Sequence, residues 1–166
     1  MPRRPARIPT IHFGEALGLL GRDESDASDE PDLSPSDERW LGEWAQRTFQ
    51  SDFLFVEGYP MAARPFYTHP GKGSARYSNS FDLLFRGQEI VTGGQRLHRL
   101  EDYEKALAAR GMSRAGIAGY LKAFQYGMPP HGGFAIGLER ITARLLGLPN
   151  IRMASLFPRD RNRLEP

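Results

Sequence analysis

The sequence predicts an α+β fold: a mixed or antiparallel sheet with helices packed against it. Two apolar runs, 80–86 and 88–97, flank Arg86-Gly87 at the spacing of a hairpin rather than a crossover. Short strand-like runs alternate with pairs of helix-like segments, the pattern of sheets with helices laid against them. The stretch 132–140, Gly-Gly-Phe-Ala-Ile-Gly-Leu-Glu-Arg, then reads as a short strand, a glycine turn and the entry to a helix. A doubly wound parallel sheet fits this spacing less well.

Taken in order, residues 1–10 form a basic, proline-interrupted, extended lead-in, and 11–166 form the domain. Phe13, Leu17 and Leu20 lie at helical spacing in 11–20, with Gly21 as the stop. An acidic Ser/Asp/Pro-rich loop is expected at 22–35. A helix over 36–49 carries Trp40, Leu41, Trp44 and Phe49 on an apolar stripe, with Ser34 or Ser36 as its N-cap. Residues 51–56 read as a strand ended by Gly58-Tyr59-Pro60. Arg64-Pro65-Phe66-Tyr67 reads as a second extended piece, at an edge because of its proline. A Gly/Ser-rich loop at 70–79 precedes the hairpin. Helices over 101–110 and 113–124 follow it, then a rigid loop from Tyr126 to His131.

The chain has 166 residues, 40% hydrophobic and 25% charged, within the range of one ordinary globular domain or part of a larger one. It has no cysteine, which excludes disulfides and thiolate metal sites. Its net charge of +2 is too small to signal nucleic-acid binding by itself. No apolar run is long enough to span a bilayer and no signal-peptide core is visible, so a cytoplasmic protein without membrane contact is expected.

The hairpin carries most of the chemistry. With Arg86-Gly87 as a two-residue turn, Leu84 faces Glu89 and Asp82 faces Val91. Asp82 and Glu89 then project from one face on diagonal positions, where two carboxylates repel unless a cation lies near. One or two carboxylates completed by phosphate oxygens suit Mg²⁺, and the Thr92 hydroxyl adds a third donor. A bulge at Gly93-Gly94 would shift the later phase and bring Arg96 onto the same face, where its fork suits a carboxylate. An exposed hairpin with mixed surface charges accounts equally well for these residues. His98 reads as a structural or surface histidine, since no nucleophile stands out as its partner.

Arg140 falls in the first turn of the helix after Gly137. The helix dipole favours Glu139 there but not an arginine, so an anionic partner explains Arg140 better than helix stability does. The stretch matches neither G-x-G-x-x-G nor a P-loop.

Several motifs in series resemble one family: Ser78-Asn79-Ser80-Phe81-Asp82-Leu83-Leu84, Glu89-Ile90, Gly93-Gly94-Gln95-Arg96-Leu97-His98, Tyr126-Gly127-Met128-Pro129-Pro130-His131-Gly132-Gly133-Phe134, Gly137-Leu138-Glu139-Arg140, and Leu156-Phe157-Pro158-Arg159-Asp160. Their order and spacing resemble the C-terminal half of the catalytic domain of aspartyl-tRNA synthetases of the archaeal-like type, within the class II Asp/Asn/Lys subgroup. The resemblance runs from about Ile8 to Pro166. It implies a class II synthetase fold with ATP and Mg²⁺ as cofactors. Arg140 would be catalytic and would contact the ATP γ-phosphate. Glu89, Gly133 and Gly137 would complete the ATP site. Asp82, Glu89 and Thr92 would hold the metal, and Arg96, Gln95 and Gly93 would bind the amino acid.

The first and second signature motifs and an anticodon-binding domain find no counterpart in the chain, so a truncated catalytic domain is expected. The implied reaction is activation of aspartate to aspartyl-adenylate and its transfer to tRNA. The alternative is a non-catalytic paralog that binds nucleotide, amino acid or a partner synthetase. A thinner alternative is an aspartate-to-asparagine amide ligase. The expected partners are aspartate and ATP, with tRNA, a homodimer or a partner synthetase also open.

Overall fold

The computed structural model describes residues 1–23 and 32–165, so the middle of the expected acidic loop at 22–35 lies outside the described residues. A five-stranded sheet runs in the order β1 (Thr10–His12), β2 (Phe53–Glu57), β5 (Ser80–Phe85), β6 (Glu89–Arg96), β7 (His131–Ile136). β1 pairs parallel to β2, and every other neighbouring pair in this sheet is antiparallel. The sheet is therefore mixed and mainly antiparallel, as expected.

Helix α1 (Phe13–Leu19) starts two residues later than its periodicity predicts, because 10–12 is drawn into the sheet beside β2. Helix α2 (Pro35–Phe49) begins at a capping box: Ser34 accepts from the Asp37 N–H, and the Asp37 carboxylate accepts from the Ser34 N–H. Leu41 and Ala45 of α2 pack with Phe13, Leu17, Leu54, Val56 and Leu84 to cover one face of the sheet. Each buried Leu, Val or Phe side chain among these contributes about 1.5–3 kcal/mol. Helices α3 (Leu100–Ala109) and α4 (Ala118–Gln125) close a second cluster around Leu97, Tyr103, Leu107 and Phe124. Helix α5 (Leu138–Leu146) brings Ile141 to a third, on Phe85, Ile90 and Val91.

Two extended readings change. Arg64-Pro65-Phe66-Tyr67 is no strand: a 3-10 turn, Met61–Ala63, leads into irregular chain whose backbone bridges the sheet at Thr68–Arg96. The expected loop at 70–79 is instead a two-stranded ribbon, β3 (Pro70–Gly71) with β4 (Ser74–Ser78). Its Gly/Ser content concealed the pairing. The second helix of the pair also starts late, with a 3-10 turn at Ala115–Ile117 before α4.

The hairpin turn is as expected. Arg86 and Gly87 both have positive φ, 48° and 71°, as a two-residue turn of the I′ kind requires. Leu84 pairs with Glu89 as predicted, but Asp82 faces Thr92 rather than Val91. The bulge lies between Leu83 and Leu84, close to the turn, and the ladder runs unbroken through Gly93 and Gly94. The irregularity thus falls before the glycines rather than at them, and it still brings the later residues of β6 into phase with Asp82.

Candidate active site

Asp82 and Thr92 are directly opposed on β5 and β6, so their side chains share one face of the sheet. Two residues on, Gly94 opposes Ser80, and Arg96 projects from the same face. Ser80, Thr92, Gly94 and Arg96, with Arg64, Tyr67, Gly93, Gln95 and Gly133, line a cavity of about 140 Å³. That is room for a few waters or a small polar molecule, well short of the several hundred Å³ of a typical cofactor pocket. A nucleotide would have to lie along the open surface beside it.

Arg96 is the side chain of this cavity whose charge is not spent on a carboxylate. Its guanidinium stacks 5.1 Å over the Tyr67 ring and has no ion pair among the described residues. It lies across Gly133 of β7, where an added Cβ would come within 3.1 Å of a guanidinium nitrogen. Gln95, its neighbour in sequence, faces the opposite way: its amide oxygen accepts from Asn79 at 2.7 Å. Gly93 lies on that opposite face too, pressed between Phe81 and Phe134, each 2.7 Å from where a Cβ would stand. The structure therefore brings Arg96, Gly133 and Thr92 together. It places the Gln95 side chain and the open face of Gly93 on the other side of the sheet.

Beneath the cavity Asp82 is buried, 3% exposed in its side chain, and paired at 2.8 Å with Arg64. Arg64 also donates to the Thr92 hydroxyl at 3.1 Å and stacks 3.9 Å over the Tyr59 ring. Burial, and then the nearby charge of Asp82, push the Tyr59 phenol well above its ordinary range. Sequence reasoning missed Arg64, because a lone arginine before a proline in irregular chain carries no periodic signal.

Glu89 and Arg140 form a second polar group beyond the cavity. Arg140 donates to both the main-chain carbonyl and the carboxylate of Glu89, each at 3.0 Å. The arginine folds back over Gly137, where a Cβ would stand 3.3 Å from its side chain. Burial raises the Glu89 carboxyl above its ordinary value and the charge of Asp82 adds to that, while Arg140 opposes both. Glu38 of α2 was also missed. Its carboxylate accepts the Glu89 N–H at 2.7 Å, beside the irregular pairing. Burial raises it as well, partly offset by that hydrogen bond. In sequence Glu38 looks like an ordinary first-turn carboxylate.

These residues fit a divalent cation. One oxygen of Asp82, Oδ1, is buried without a hydrogen-bond partner. Its charge raises Glu89, an interaction that a cation between or beside them would reverse. Among the described residues there is no cluster of three or more His, Cys, Asp or Glu. A two-carboxylate site completed by substrate phosphates suits Mg²⁺ better than a dedicated protein cage. His98 is half-buried with Nδ1 unpartnered, its ring parallel to that of His69 at 6.4 Å, and it lines none of the cavity.

Residues 3–161 match the family described as tRNA synthetases class II (D, K and N). The chain belongs to that family. It is 52% identical over 165 residues to the aspartate–tRNA(Asp/Asn) ligase of Thermus thermophilus, covering 99% of this chain and 38% of that protein. The cytoplasmic aspartate–tRNA ligase of Homo sapiens is 40% identical over 94% of this chain and 31% of its own length. Among solved structures, the aspartyl-tRNA synthetase of Entamoeba histolytica superposes with a TM-score of 0.88 at 40% identity, covering 97% of this chain and 33% of that one. The asparaginyl-tRNA synthetase of Pyrococcus horikoshii complexed with asparaginyl-adenylate gives 0.83 at 33% identity, over 97% of this chain and 36% of that one. The class II synthetase chain thus spans about two fifths or less of these relatives. Among the described residues, no helix of it is long and apolar enough to cross a membrane.

Proposed function

We propose that this chain carries the amino-acid and nucleotide subsites of an aspartate-activating class II synthetase, for aspartyl-adenylate formation and transfer to tRNA. One observation carries the reading: the uncommitted guanidinium of Arg96, held over Gly133 and Tyr67 in a cavity of aspartate size. A carboxylate there would gain a charge-assisted fork, and a carboxamide would leave half of that fork unmatched. Support comes from relatives named aspartate–tRNA ligases at 52% and 47% identity.

In this reading the side-chain carboxylate of aspartate sits on Arg96, leaving its α-carboxylate free to attack the α-phosphate of ATP with pyrophosphate leaving. Arg140 exchanges Glu89 for the γ-phosphate and orients the leaving group. Asp82, Glu89 and Thr92 would hold Mg²⁺, which would supply charge neutralisation on the phosphates. Aspartate-dependent exchange of labelled pyrophosphate into ATP tests the reading. Exchange above background supports it, and none from folded chain rejects independent catalysis.

A second reading, binding without turnover, is favoured by the edge of β7, which pairs with no further strand among the described residues, and by the exposed side chains of Phe134, Ile136 and Leu138 beside it. Such an edge invites pairing with another polypeptide, a second copy or a partner synthetase. Calorimetry with aspartate and ATP·Mg²⁺ that shows binding, paired with silent exchange, would select it.

A further inference from the structure

We infer that Arg64 is a positioning residue of the cation site: it fixes Asp82 and Thr92 so that one carboxylate oxygen and the hydroxyl face a divalent ion. The inference rests on the Mg²⁺ reading above.

Three contacts immobilise this guanidinium. It donates to Asp82 Oδ2 at 2.8 Å and to Thr92 Oγ1 at 3.1 Å, and its Cζ lies over the Tyr59 ring, 3.9 Å from the centroid. Its side chain is 11% exposed, so solvent does not hold it. The two bonds join adjacent strands at the one register position where acid and hydroxyl oppose each other. Arg64 takes Oδ2 and leaves Oδ1 buried without a partner. Its two donors engage the same two side chains that the metal reading needs, and together they fix which oxygen stays free.

The backbone that presents Arg64 is itself clamped. Arg110, exposed at the C-terminal end of α3, donates to the carbonyl of Arg64 at 2.7 Å and to that of Met61 at 3.3 Å. A surface arginine thus holds a short turn that has no strand pairing of its own, and the turn carries the buried arginine. Groups that orient metal ligands in this way typically account for about 10–100-fold in metal affinity.

The test is Mn²⁺ binding to the full chain, read by the electron paramagnetic resonance of free Mn²⁺, alone and with a non-hydrolysable ATP analogue. Arg64→Met keeps a side chain able to lie on Tyr59 but removes both bonds. Affinity is expected to fall about 10–100-fold. Arg64→Lys should recover part of it, which general loosening of the fold would not produce. Thermal melts establish that each variant is folded. Should Arg64→Met not fold, Arg110→Ala decides, because it removes only surface hydrogen bonds; a several-fold loss is then expected. Unchanged or tighter Mn²⁺ binding in the deciding variant overturns the inference and leaves the metal reading standing. Wild-type chain that binds no Mn²⁺ under either condition removes the metal reading and this inference with it.

Discussion

Arg140 and Glu89 hold each other across 51 residues of sequence, through one guanidinium nitrogen shared between the carbonyl and the carboxylate of the glutamate. The arginine is thus paired and held in place by Glu89, and in the proposed reading an incoming phosphate must compete with Glu89 for it. Arg140→Ala should weaken ATP·Mg²⁺ binding at least about tenfold, in line with the loss of a charge-assisted bond of 1.5–3 kcal/mol. Glu89→Gln should separate the two components. Affinity for ATP without metal should be kept or rise, since Arg140 is released, while the gain from adding Mg²⁺ should disappear. Calorimetry with and without Mg²⁺ checks both, and a uniform loss in Glu89→Gln would count against the assigned roles.

Glu89 also predicts a pH dependence. Its folded-state pKa lies above the ordinary carboxylate value because of burial and the Asp82 charge. The native state therefore binds the proton more readily than the unfolded chain, and stability falls as pH rises from the unfolded pKa through the folded one. Replacing the group with a neutral amide removes that slope. The stability of Glu89→Gln relative to wild type should increase as pH rises above about 4.3, the ordinary glutamate value. Urea denaturation across pH 4–7 reads it.

Much of this was legible because the hairpin is local. Arg86-Gly87 dictates the turn, and the pairing of Leu84 with Glu89 follows from it by counting. Arg96, by contrast, reaches the face of Asp82 only through a bulge that the structure places at Leu83 and Leu84 rather than at Gly93-Gly94. The count failed by one residue at Asp82, since a bulge opposite Leu83 and Leu84 has no sequence mark of the kind that Gly93-Gly94 suggested. Arg64 and Glu38 were not legible at all. Each reaches the site from 18 and 51 residues away, through tertiary contacts that no period or spacing encodes. The ribbon at β3 and β4 was hidden for a different reason, its glycines and serines favouring turns over strands.

The two glycines of the cavity wall should behave oppositely. At Gly133 a methyl meets the far end of a flexible side chain, the Arg96 guanidinium at 3.1 Å. Gly133→Ala should displace Arg96 and weaken aspartate binding several-fold, with little change in melting temperature. At Gly93 the methyl meets Phe81 and Phe134 at 2.7 Å and the Gly133 carbonyl at 3.0 Å. Those groups are the Phe81 ring, the Phe134 Cβ and backbone, none of them the far end of a flexible chain, so Gly93→Ala should destabilise the chain by about 1–3 kcal/mol. Paired measurements of aspartate affinity and chemical denaturation distinguish the two effects. Equal behaviour of the variants would contradict the placement of Arg96.

Asp52, away from the site, anchors the hairpin turn to the sheet's approach. Its carboxylate, 4% exposed, accepts from the Arg3 N–H at 3.0 Å, from Arg86 Nε at 3.1 Å and from Gln46 at 3.3 Å. Burial opposes ionisation, but these bonds outweigh it and hold the carboxyl below its ordinary value. A depressed pKa means stability that is present above the unfolded value and is lost as pH falls through the folded one. Asp52→Asn should therefore cost about 1.5–3 kcal/mol at neutral pH, the size of charge-assisted bonds to a buried carboxylate. The difference from wild type should shrink once pH drops below about 3.9, where the unfolded wild-type chain takes up the proton. A difference that stayed constant down to the lowest pH at which both chains fold would show that Asp52 acts through shape rather than charge.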